Sequence, residues 1–161
     1  MGKVTLIAEP SVDVVRKICQ NLRARDRQEI FATKWTDDPE EVVAGVIASG
    51  AFRWAALVDG EPVALIGARP RWPGVWSMWA FGTDRWPEVV RTLTKHAKRF
   101  MMPALMNAGA VRADCHALAE HTDARRWLER LGATAETELA AWGKNGQSFV
   151  CYVWTRKQLE G

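Results

Sequence analysis

Histidine titrates near neutral pH, so the three histidines, His96, His116 and His121, are the first places to look for proton transfer. His116 and His121 lie close in sequence to Asp114, Cys115 and Glu120, and His121, His116 and Glu120 are the candidate catalytic groups. Cys115 and His116 do not make a thiol–imidazole pair, because neighbours on a strand point to opposite faces. A histidine at a helix start also serves as a cap or simply faces solvent. A metal held by Asp114, His116 and His121 would need a strand and a helix start to converge. No His-Glu-x-x-His, P-loop or dinucleotide-binding pattern occurs, and no metal is expected. A second constellation is Ala80-Phe81-Gly82-Thr83-Asp84-Arg85-Trp86-Pro87, a strand end running through one glycine into a helix start. Free backbone N–H groups at such a place hold anions. Arg85 and the Thr83 hydroxyl would help, whereas Pro87 removes a donor and Asp84 and Glu88 bring negative charge. A loop capped by Thr83 or Asp84 with no ligand is the plainer alternative.

The elements that must position these groups fit within one domain spanning 1–161, of which 48% is hydrophobic and 25% charged. A chain of this size buries roughly two-thirds of its unfolded surface. The net charge of +3 is mild and interspersed, so nucleic acid is not an expected partner. Arg125, Arg126 and Arg130 form a basic helix face, read first as a solvated surface and second as a contact for an acidic partner or DNA. No apolar run approaches the roughly 20 residues of a membrane span, and the N-terminus has no signal-peptide core. Cys19, Cys115 and Cys151 are odd in number and far apart, which disfavours disulfides and structural zinc and suggests reduced thiols in a cytoplasm. Four of the nine tryptophans, Trp72, Trp76, Trp79 and Trp86, fall within fifteen residues. They could stack bases or bind cations, but an aromatic core is the blander account.

Val4–Ile7 reads as a strand and Ser11 as the cap of a helix through Leu22. Arg23 to Ala32 continues it or adds a turn, and Asp38-Pro39-Glu40-Glu41 starts another helix. Phe52–Val58 and Pro62–Gly67 form a hairpin about Asp59-Gly60. Arg69–Gly74 reads as a loop and Val75–Phe81 as the next strand. A long helix follows, with Val89, Val90, Leu93, Ala97, Phe100 and Met101 inward, until Pro103 kinks or ends it. Val111–Ala117 is a strand. Thr122 or Asp123 starts a helix with Ala124, Trp127, Leu128 and Leu131 on one face, and Gly132 closes it. Thr134–Trp142 and Ser148–Trp154 pair across Asn145-Gly146. The expected class is α/β with a mixed sheet, in the order β-α-α-β-β-β-α-β-α-β-β.

That order, with the helix His121-Thr-Asp-Ala124-Arg-Arg-Trp-Leu128-Glu-Arg-Leu-Gly132-Ala133, resembles the GNAT (GCN5-related N-acetyltransferase) fold over nearly the whole chain. Family members carry Asn, Ala, Tyr, Gly and an aromatic where this chain has His121, Ala124, Leu128, Gly132 and Ala133. Arg23–Ile30, the Asp-Gly hairpin, Trp79–Asp84 and Arg126–Ala133 also resemble a group of GNAT-like proteins of short-tailed phages and prophages, some of them internal virion proteins.

The resemblance implies an acyl-CoA-dependent N-acyltransferase acting on an unidentified amine. Acetyl-CoA would lie against Ala80, Phe81, Gly82, Thr83, Arg85 and Trp86. The loop is degenerate, because the family pattern has a second small residue after the glycine. Leu128 replaces the tyrosine that protonates the departing thiolate, which leaves His121, His116 and Glu120 as the groups able to carry protons. The other reading is an inactive virion protein of the phage particle, or of the host cytoplasm before assembly. It would contact other virion proteins through a surface around Trp72, Trp76 and Trp86, and a homodimer is compatible with either reading.

Overall fold

A computed structural model describes residues 2–161, which form two compact units. The first holds the residues up to Arg69 together with Trp79–Leu93, and the second holds Pro70–Met78 with Thr94–Gly161.

In the first unit Asp59 and Gly60 both take positive φ (48° and 83°). That turn joins β2 (Arg53–Val58) to β3 (Glu61–Trp72), and β1 (Val4–Ala8) pairs antiparallel with β2. Helix α1 (Val12–Cys19) is capped by the Ser11 hydroxyl, which accepts from the Val14 N–H. Helix α2 (Ala24–Phe31) is a separate element, not a continuation. Helix α3 (Pro39–Ala48) starts as its sequence predicts, with the Asp38 carboxylate accepting from the Glu40 N–H. Val15, Ile18, Leu22, Val42, Val43 and Val46 pack on Ala55, Leu65 and Phe81, which makes the core of this unit. Burial pushes the Cys19 thiol up to about 12, so it stays protonated.

In the second unit Val75–Ser77 of β4 (Val75–Gly82) pair parallel with Arg112–Asp114 of β5 (Arg112–Leu118). β5 pairs antiparallel with β7 (Phe149–Thr155), which pairs in turn with β6 (Thr134–Leu139). Tyr152, Trp154, Met101 and Leu105 are fully buried here. The strand order is β1-β2-β3-β4-β5-β7-β6 in a mixed seven-stranded sheet, the expected fold class.

Four expectations need correction. β3 runs on to Trp72, so Arg69–Gly74 is mostly strand; Arg69 to Trp72 are exposed, where Pro70 is tolerated. Pro103 does not end its helix. α4 (Trp86–His96) passes through a π turn, Ala97–Met101, into α5 (Met102–Asn107), and the Met102 N–H reaches back to the Ala97 carbonyl. The π turn shifts the helical phase and leaves Phe100 exposed, stacked on His96 with 5.2 Å between ring centroids, while Met101 and Met102 turn inward. The β6–β7 connection is wider than an Asn-Gly hairpin, with the Gly143 N–H bonded to the Gln147 carbonyl. After α6 (Thr122–Arg130), a last helix α7 (Arg156–Glu160) is set by a reciprocal Thr155–Gln158 cap. Among the described residues no helix is long and apolar enough to cross a membrane.

Candidate functional site

The β4–α4 junction lies in the first unit, and its backbone donors can be counted one by one. The Gly82 N–H donates to the buried Asp26 carboxylate at 2.8 Å. The Thr83 N–H donates to the Val63 carbonyl at 2.8 Å, and the Trp86 N–H to the Thr83 carbonyl at 3.0 Å. The Arg85 N–H leans on the Thr83 hydroxyl at 3.3 Å, the Asp84 N–H has no acceptor among the described residues, and Pro87 has no N–H to offer. The Gly82 carbonyl is itself taken by the Arg23 N–H at 3.0 Å.

Packing around Gly82 explains this arrangement. A Cβ on residue 82 would stand 2.9 Å from the Val63 carbonyl and from the Trp86 ring, so only glycine fits. Asp26, in the first turn of α2, is 2% exposed and pairs with Arg23 at 3.0 Å. The Arg23 guanidinium lies 4.8 Å from the centre of the Trp86 ring, which makes a cation–π contact. Arg85 is held by Glu88 through bonds of 2.7 and 3.1 Å, and that guanidinium keeps the Glu88 carboxyl below its usual range. The pyrophosphate of a coenzyme A would need free donors at this junction. The residues present fit it poorly, because the Gly82, Thr83, Arg85 and Trp86 N–H groups already have partners, which leaves only that of Asp84, and the nearest buried charge is a carboxylate.

Among the candidate cofactor residues, Phe81 and Trp86 are buried, Ala80 and Thr83 half-buried and Arg85 exposed. Trp86 is therefore no surface residue, and of Trp72, Trp76 and Trp86 only Trp72 is largely exposed (60%).

The histidines divide by role. His121 is 1% exposed and is the N-cap of α6 in place of Thr122 or Asp123, its Nδ1 accepting from the Ala124 N–H at 3.4 Å. Glu120 is exposed in the turn before it. His116 is half-buried on β5, opposite Cys151 of β7, with its ring edge-on to Trp142 at 5.5 Å between centroids. It shares a strand face with Arg112 and Asp114. Asp114, 7% exposed, accepts from Arg71 at 3.1 Å and Arg112 at 3.4 Å, and Arg112 also makes two 2.8 Å bonds to Glu136. Among the described residues no group of three or more His, Cys, Asp or Glu is placed to hold a metal ion.

Burial holds the His116 imidazole below its ordinary value of 6.5; Asp114 opposes the shift and Arg71 and Arg112 reinforce it. Burial also lowers His96. A lowered histidine binds fewer protons folded than unfolded, so its contribution to stability is present above the unfolded value and lost as pH falls below it. Denaturant midpoints are expected to fall as pH drops from about 7 toward 5, the range below an unfolded histidine. The fall should be shallower in His116→Gln; an identical slope would count against this assignment.

One polar group was not singled out by the sequence. The fully buried Tyr152 hydroxyl accepts from Arg125 Nε at 3.0 Å and donates to Glu129 at 3.1 Å. Arg125 also donates to the Ala119 carbonyl at 3.1 Å, so it leaves the basic face to Arg126 and Arg130. The helical phase carried that signal, since Arg125 and Glu129 are four apart and share a face with Leu128.

No protein-family model matches the chain, and no curated protein matches it significantly. Solved structures do. Ard1 from Thermoplasma volcanium aligns at 10% identity with a TM-score of 0.73, covering 94% of this chain and 97% of that one. A GNAT-family acetyltransferase from Bacillus anthracis aligns at 13% identity with a TM-score of 0.65, covering 97% and 98%. The yncA protein of Salmonella typhimurium, solved with its cofactor acetyl-CoA, aligns at 10% identity with a TM-score of 0.68, covering 95% and 94%. With the strand order and the helix-capped β5–β7 pair, these matches identify the fold of the chain as that of the GNAT acetyltransferases.

Proposed function

We propose that this chain uses the GNAT fold as a scaffold for protein contacts, its coenzyme A loop being degenerate and closed by its own side chains. The observation that carries this reading is the Asp26 carboxylate on the Gly82 N–H, which puts a buried anion where a ligand anion would have to sit. Leu128 supports it: it occupies the position of the family's proton-donating tyrosine and is buried in the core. The resemblance of Arg23–Ile30, Trp79–Asp84 and Arg126–Ala133 to phage proteins points to a phage or prophage origin and to another virion protein as partner.

The second reading is an acyl-CoA-dependent N-acyltransferase acetylating a primary amine, favoured by one observation. His116 is half-buried and held neutral at pH 7, so it could take a proton from an amine. His121 could not use Nδ1 for this while it caps α6.

The discriminating assay is release of free thiol from acetyl-CoA in the presence of a panel of primary amines. The scaffold reading expects no release above the rate without protein. Amine-dependent release that disappears in His116→Ala would establish the enzyme instead.

A further inference from the structure

A cavity of about 960 Å³ opens in the second unit. Its apolar lining includes Met102, Pro103, Met106 and Leu159, of which Pro103 is exposed, Met106 half-buried and the other two buried. Lys98 from the π turn, Arg130 from the end of α6 and Lys157 from α7 also line it. The one acidic side chain of the lining, Glu160, is paired with Arg156 at 3.7 Å.

None of Lys98, Arg130 and Lys157 has an acidic partner among the described residues. Arg91, Lys95, Arg99 and Arg126 are exposed and unpaired as well, and what sets these three apart is that they line one cavity. Arg16, Lys17, Arg85 and Arg112 are each paired with a carboxylate. Three unneutralised cations from three separate elements around a methionine-lined apolar groove are complementary to a ligand that is both acidic and apolar. Methionine suits such a site, because its flexible thioether adapts to varied side chains. The lining holds no aromatic ring on which a nucleobase could stack.

We propose that this groove docks a short acidic segment of a partner protein. Its apolar side chains would lie on Met102, Pro103, Met106 and Leu159, and its carboxylates against Lys98, Arg130 and Lys157. Naming a protein as the partner rests on the scaffold reading; the groove itself does not depend on the closed loop.

The test is fluorescence anisotropy with a labelled amphipathic peptide of about 14 residues built from Glu and Leu, long enough to present one helix face. Saturable binding that weakens with salt is expected. The double variant Lys98→Glu with Arg130→Glu should weaken it about tenfold or more, as reversal of charges facing a charged ligand does. Met106→Glu should weaken it too, and since all three side chains reach solvent the melting temperatures should not move. The proposal is overturned by absence of saturable binding, by unchanged affinity in both variants, or by equal affinity for a peptide with Ser in place of Leu. An oligothymidylate that binds more tightly than the peptide would also overturn it, in favour of nucleic acid. Added acetyl-CoA should leave peptide affinity unchanged, so failure of the groove and failure of the closed-loop reading give different results.

Discussion

Replacing Asp26 with alanine is expected to cost about 3 kcal/mol or more of folding stability, the range for removing one partner of a buried charged pair. The change strands two groups at once. The Gly82 N–H loses its acceptor, and the Arg23 guanidinium, whose side chain is 17% exposed, loses the carboxylate beside it. Neither can recover full hydration, because Trp86 lies under the guanidinium and Leu22 bridges to Thr83. Asp26→Asn keeps an oxygen for the Gly82 N–H and should cost less. Urea midpoints of the two variants check this, and equal midpoints for wild type and Asp26→Ala would show that the junction does not depend on the carboxylate.

Trp154→Ala is expected to destabilise by about 3–5 kcal/mol, the range for truncating a large buried aromatic residue. Its ring is fully buried in the second unit, and its indole N–H donates to the Leu131 carbonyl at 2.9 Å, which ties β7 to the end of α6. The matched control is Trp35→Ala. That side chain is 97% exposed, and its loss should change stability by no more than about 0.5 kcal/mol. Similar losses at the two positions would contradict the burial assigned to them.

These two tryptophans show where sequence reading stops. The abundance of Trp was plain, but nothing in the spacing of Trp72, Trp76 and Trp86 separates a surface ring from a buried one. Local signals were legible: Asp38-Pro39 started a helix, Ser11 capped one and Asp59-Gly60 turned a hairpin, because each acts within a few residues. The Thr155-x-x-Gln158 cap of α7 was equally readable and was missed behind a strand expected to finish the chain. Of the two outcomes expected at Pro103, a kink or an end, the end does not occur. The proline's missing donor can be absorbed by a π turn instead of a helix end, and the extra residue rotated Phe100 out of the core. The candidate site was legible only in part. The single glycine and Pro87 hinted at a poor anion loop. The residue that accepts from the Gly82 N–H, Asp26, lies 56 positions away in sequence, and no local pattern encodes that contact.

The central claim is that the β4–α4 junction spends its backbone donors, all but the Asp84 N–H, on the protein itself. Calorimetric titration of the wild-type chain with acetyl-CoA tests it most directly. The account predicts no heat beyond dilution at about millimolar ligand, where a Kd of that order corresponds to about −4 kcal/mol, and an unchanged melting temperature. A Kd near micromolar, about −8 kcal/mol, would contradict it and would mean that the loop opens to the cofactor despite Asp26.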